Sequence, residues 1–193
     1  MSLEYEVTEL NRRLANMLCL GVISQIDLSN EIPKARVIIG DIETAFLVML
    51  MPRAGNDISF WSYEVGEQVL VLSPSGDLSQ GVIIGSINQS AIPAVASSSD
   101  IQRTRYSDGA IIEYDRSAHH LKAVLPDGAK TTLISNGGVF VTGDVKVTGN
   151  IKATGDITDH TRSMQADRVI YNEHDHSGVR KGSSKTRIPN QSQ

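Results

Sequence analysis

The chain opens with apolar side chains at helical spacing. Leu3, Val7, Leu10, Leu14 and Met17 follow one another at alternating steps of four and three residues. This is the seam pattern of a coiled coil, and an amphipathic helix that docks on its own domain shows it too. Two heptads do not decide between these arrangements. Residues 1–18 are therefore predicted to form an N-terminal helix, with both roles open for its apolar stripe.

From residue 19 the pattern changes to short apolar runs separated by turn residues. Pro, Gly, Ser and Asp interrupt the runs at residues 52–55 and 73–77, and these residue types favour turns. Five strands are predicted, at residues 22–26, 34–39, 45–51, 68–72 and 81–87. Five strands within residues 19–90 are typical of a small closed barrel of the oligonucleotide/oligosaccharide-binding (OB) type.

The middle of the chain is predicted to leave the barrel and form a second β element. Residues 91–104 begin with small side chains and show no periodicity, so they are predicted to be a linker. Residues 105–135 are predicted to form a β-meander at the base of a shaft. Its candidate strands are 109–114, 120–125 and 131–134.

A six-residue repeat follows the predicted meander. Gly143, Gly149 and Gly155 are six residues apart and each follows a threonine, while Lys146 and Lys152 alternate with Val and Ile between the turns. Such short strands expose one apolar and one cationic face. A single chain with so few turns would leave bare strand edges. Residues 136–170 are therefore predicted to form an intertwined trimeric β-helix or β-prism, with a flat hairpin array in a monomer as the alternative.

A histidine pair lies in the predicted apex, residues 171–193. In an extended strand, residues two apart face the same side, so His174 and His176 would point together. On a three-fold axis, three such pairs supply six nitrogens in an octahedron, which suits iron, nickel or cobalt. In a monomer the same pair is usually just solvated. His119, His120 and His160 are interpreted as structural or solvated residues.

Composition narrows the range of functions. The net charge of −4 does not favour nucleic-acid binding, for which a basic domain is expected. Cys19 is the single cysteine, so the chain forms no internal disulfide and no cysteine-based zinc site. The charged N-terminal segment lacks the apolar core of a signal peptide, and the apolar run 45–51 is too short to span a bilayer. The protein is therefore expected to be synthesised in the cytoplasm of its host.

Several motifs, taken in order, resemble a known family. The barrel domain of phage baseplate assembly protein V is similar to residues 50–55, 63–72, 75–77 and 81–85, and its shaft is similar to residues 107–109, 114–115 and 118–121. This resemblance implies a trimeric membrane-piercing spike under a tail tube, as in P2-like and Mu-like phages and R-type tailocins. It also implies one iron(II) ion per trimer, held by His174 and His176, and calcium and chloride ions for which no residues are assigned.

The predicted fold is therefore all-β, with an OB-fold-like barrel, a trimeric needle and a small metal-bound apex. The predicted function is that of a structural spike in a virion baseplate or tailocin particle, with no catalytic residues and no nucleic-acid partner. Its expected partners are two further copies of itself, the baseplate hub, the tail tube and the bacterial outer membrane. The alternatives are an OB-fold module that binds nucleic acid or another ligand, and a hexapeptide-repeat acyltransferase, whose coils need many more repeats.

Overall fold

The computed structural model describes residues 2–173, 178 and 182–183. The chain divides into two compact units, the first reaching Thr132 and the second beginning at Leu133. Each unit is treated by itself below.

The first unit begins with the predicted helix. Helix α1 comprises Leu3–Asn16, and the Ser2 hydroxyl caps it by accepting the Tyr5 N–H at 3.4 Å. Glu4 and Glu6 lie in its first turn and Arg13 in its last, which places each charge at the favourable end of the helix dipole. The sequence therefore specifies both the start and the polarity of this helix.

Six strands follow α1 and form one sheet. They are β1 (Leu18–Asp27), β2 (Lys34–Ile39), β3 (Ile42–Glu43), β4 (Leu47–Met49), β5 (Gln68–Leu72) and β6 (Val82–Ile87). The strand order is β1–β5–β6–β4–β2, and β2 also pairs with β1, so these five strands close into a barrel to which β3 is added beside β2. The predicted five-stranded barrel is thereby confirmed, with its third predicted strand shortened to β4.

Alternating apolar residues of these strands fill the barrel. The largest fully buried apolar side chains are Ile23, Val37, Leu47, Val69, Val71 and Ile83. Thr44 is buried as well, and its hydroxyl accepts the Val37 N–H at 3.0 Å where the chain turns from β3 toward β4. The barrel therefore has a complete core within one chain.

A three-stranded meander completes the first unit. Its antiparallel strands are β7 (Ile101–Arg105), β8 (Ile111–Asp115) and β9 (His120–Val124). Arg103 on β7 pairs with Glu113 on β8 and donates to the Val95 carbonyl at 2.8 Å. The position of the meander differs from the prediction at both ends, because β7 lies largely within the predicted linker and residues 131–134 do not form a strand.

The second unit contains an unpredicted helix. Helix α2 comprises Met164–Glu173, so residues 164–170 are helical, and their assignment to a β-helix is wrong. The Ser163 hydroxyl accepts the Ala166 N–H at 3.1 Å, which caps the first turn. Met, Gln, Ala and Arg in α2 favour a helix over a strand. The protein is therefore mostly β rather than all-β.

Candidate functional site

The hexad segment, residues 139–157, carries the apolar surface that the sequence assigned to the needle axis. Seven large apolar side chains in it are between 45% and 94% exposed, namely Val139, Phe140, Val141, Val145, Val147, Ile151 and Ile157. Monomeric soluble proteins rarely expose a contiguous apolar surface of this kind without a partner for it. The segment is therefore the first candidate for the functional surface of the chain.

The backbone of the hexad segment bends at its glycines. Gly143 and Gly149 have φ values of +119° and +128°, a region that other residues rarely adopt. Residues 139–156, all within the described part of the chain, form no strand ladder. The backbone N–H and C=O groups of this stretch are therefore not engaged in strand pairing within the described part of the chain.

Polar side chains of the hexad segment lie between its apolar positions. Lys146 and Lys152 are exposed and each stands between two apolar residues. In an extended chain these lysines point away from their apolar neighbours. The apolar and cationic side chains therefore alternate along the sequence as predicted. Within the described residues of this chain, no other part of the chain buries the apolar side chains.

A tight turn separates the hexad segment from α2. Hydrogen bonds from the Ser163 hydroxyl and from the backbone N–H groups of Gln165 and Ile157 hold the pKa of the Asp156 carboxyl below its usual value. The backbone N–H groups of Arg162 and Thr161 lower the pKa of Asp159 in the same way. Both carboxylates thus help to build the turn, and Asp156 also accepts from the first turn of α2.

The five histidines divide between described and undescribed positions. His119 lies in the turn before β9 with a φ of +50°, His120 opens β9, and the His160 ring is 3.3 Å from the Thr161 hydroxyl. His174 and His176, the predicted metal ligands, lie outside the described residues. Among the residues that are described, no group of three or more His, Cys, Asp or Glu side chains is placed to hold a metal ion.

One contact of the first unit was not predicted from the sequence. The rings of Trp61 and Tyr106 stack with their centroids 6.0 Å apart and their planes 16° from parallel. Trp61 belongs to the loop between β4 and β5, and Tyr106 follows β7, so the stack joins the barrel to the meander. A sequence pattern does not reveal a pair so far apart along the chain.

Within residues 2–173, neither helix has the length and apolar character needed to cross a membrane.

The barrel identifies the class of protein. Residues 19–87, which include nearly all of β1–β6, match the family of the Type VI secretion system/phage-baseplate injector OB domain. The chain is also 34% identical over 132 residues to the spike protein of Escherichia phage P2. That match covers 68% of this chain and 60% of the P2 protein, so the chain spans somewhat less than two thirds of its relative. The barrel of this chain therefore belongs to the injector OB-domain family, and the chain is similar to a phage spike protein, as its sequence motifs predicted.

Proposed function

We propose that this protein is the central spike of a contractile phage tail or a related injection particle, and that it perforates the host outer membrane mechanically. The observation that carries the proposal is the exposed apolar face of the hexad segment in a chain that is similar to a phage spike protein and whose barrel belongs to the injector OB-domain family. A mechanical role requires no catalytic group. It requires a stiff, narrow element whose strands cannot be peeled apart under load.

A homotrimer would give the hexad segment that stiffness. Three copies wound about one axis bring Val145, Val147 and Ile151 of each chain together and pair the extended backbones between chains. Lys146 and Lys152 then face solvent along the outside. Closed interchain pairing removes free strand edges, and glycine turns such as Gly143 and Gly149 set the corners.

The tip would be fixed by a metal ion. His174 and His176 from three chains offer six imidazole nitrogens, a donor set suited to octahedral iron(II), with one ion per trimer. Binding of such an ion ties the three chains together where fraying would otherwise begin. Calcium and chloride ions on the axis belong to the same proposal, with no residues assigned to them.

The barrel would form the wide end of the spike. OB barrels in the matched family belong to injection machinery, so this end is proposed to meet the baseplate hub and the tail tube. Contraction of the sheath would then drive the tube, and the narrow tip would concentrate the force on the bacterial outer membrane. In this proposal the protein resides in the virion baseplate or in a tailocin particle.

The test combines native mass with metal analysis of the full chain. Wild-type protein is expected to be a trimer that contains one iron per three chains. The double variant His174→Ala/His176→Ala is expected to lose the iron and to remain a trimer, because the hexad segments still associate. His119→Ala/His120→Ala is the matched control and should keep both properties. A monomeric wild type without metal would contradict the proposal.

A further inference from the structure

Helix α1 carries a second uncovered apolar surface. Leu3, Val7, Leu10 and Leu14, which we call the α1 stripe, are between 49% and 77% exposed. None of the 14 residues of α1, all of them described, is buried. The stripe therefore does not dock on the barrel of its own chain, which removes one of the two roles that the sequence left open.

The helix is attached to the barrel at one end. The Ser73 N–H donates to the Met17 carbonyl at 2.8 Å, next to the C-terminal end of α1. Gly76 lies against the Arg13 backbone so closely that a Cβ added there would be 2.2 Å from the Arg13 carbonyl oxygen. The remaining turns of α1 make no comparable contact among the described residues. Because an isolated helix of this length is marginal in water, a partner along the stripe would stabilise it.

The charges on α1 argue against a lipid surface as that partner. Glu9 accepts hydrogen bonds from Arg12 at 2.8 Å and from Arg13 at 2.7 Å. With Glu4 and Glu6 in the first turn, the polar face is slightly acidic. Helices that lie on anionic membranes are instead rich in Lys and Arg on this face.

We propose that the α1 stripe is covered by the same helix of two further copies of this chain, in a parallel three-helix coiled coil around the symmetry axis of the trimer. Val7 and Leu14 occupy one seam position of the heptad, and Leu3, Leu10 and Met17 occupy the other. The proposal rests on the trimer of the proposed function and adds a second association site, remote in sequence from the hexad segment.

Symmetry and charge both fit this arrangement. Each α1 is held by its own barrel at the same end, so copies related by rotation about one axis run parallel. In a parallel pair, a residue flanking the seam faces the residue five positions later in the neighbouring helix. Glu6 then faces Asn11, while the position five residues after Arg13 is Leu18, which lies in β1 beyond the end of the helix. No two like charges meet across the seam, so identical copies are compatible partners.

Disulfide trapping in the full chain tests the proposal. In a Cys19→Ser background, Leu10→Cys places a thiol in the seam, and Arg12→Cys places one on the opposite face of the same helix. Mild oxidation should join about two thirds of the Leu10→Cys chains as covalent dimers, since one disulfide links two of three chains. Arg12→Cys should remain unlinked. Val7→Cys provides a second seam position, and the fluorescence of Trp61 verifies that each variant is folded.

The outcomes separate this inference from the proposed function. A trimer whose seam cysteines do not cross-link, or cross-link no faster than Arg12→Cys, would overturn the coiled coil and leave the needle trimer intact. A monomer in the unoxidised sample would contradict both. Cross-linking confined to Leu10→Cys and Val7→Cys would support α1 as a self-association surface.

Discussion

Gly76 lies at the point where α1 meets the barrel. It has a φ of +69°, and the Arg13 backbone occupies the space that a side chain would need. Glycine adopts such a φ at no steric cost, whereas other residues are strained there. The neighbouring Ser75, with a φ of +55°, adds to the unusual geometry of this turn. The helix and the barrel thus meet through backbone contact rather than through side-chain packing.

Replacement of Gly76 by alanine should therefore destabilise the first unit. The expected loss is about 1–3 kcal/mol in the free energy of unfolding, from the strained φ and from the displaced helix end. The measurement is urea unfolding followed by the fluorescence of Trp61, the only tryptophan in the sequence.

Gly55→Ala is the matched control for that substitution. Gly55 has open space around its Cβ position and no positive φ, so alanine there should change stability by less than about 0.5 kcal/mol. Equal urea midpoints for both variants would show that the approach of Arg13 to Gly76 has no energetic importance.

At the scale of elements, the barrel strands were predictable because their signals are local. Each barrel strand except β3 coincides with an apolar run bounded by turn residues. Strand β3 has two residues, too few for a period to be visible. Strand β7 has the sequence IQRTR, whose single apolar residue gives no alternation. Its ion pair between Arg103 and Glu113 on the following strand depends on the register of the two strands, which the sequence pattern does not show.

Helix α2 is not predicted from the sequence, although local signals for it are present. The β-helix predicted for residues 136–170 continues past the end of the six-residue repeat, which lies near Asp156. The signals that favour the helix are the Ser163 cap and the helix-forming residues that follow it.

Of the predicted functional site, the exposed apolar side chains and the glycine turns lie among the described residues, while the predicted metal ligands His174 and His176 do not.

The hexad segment yields a prediction at the same scale. Val147→Lys would place three ammonium groups at the proposed trimer axis, and burial of unpaired charges costs several kcal/mol. The concentration at which the trimer dissociates should therefore rise by at least about tenfold. Native mass spectrometry over a dilution series measures this directly.

Lys146→Ser provides the control one residue away from that substitution. Lys146 faces the opposite side of the extended chain, so its replacement should leave the dissociation concentration unchanged. If both variants dissociate alike, the two faces are equivalent and the proposed inward direction of the valines is wrong. The fluorescence of Trp61, which lies in the first unit, shows independently whether that unit is folded in both variants.

At the scale of the whole molecule, the two units are stabilised in different ways. The first unit encloses its own core, with Ile23, Leu47 and Ile83 almost completely buried within one chain. The hexad segment of the second unit encloses no comparable core among the described residues and is proposed to gain one from other chains. Stability of the barrel should then be an intramolecular property, and stability of the hexad segment should reside in the assembly.

This difference predicts two separate unfolding transitions. As denaturant rises, the fluorescence of Trp61 should report loss of the barrel while sedimentation still shows trimers, because intertwined chains separate through a high kinetic barrier. The second transition should depend on incubation time, and the first should reach equilibrium quickly. A single coincident transition by both measurements would mean that the barrel and the hexad segment unfold as one unit, and it would contradict a needle that maintains the trimer by itself. If the barrel is lost while the trimer persists, the stiffness that the proposed piercing requires resides in the hexad segment.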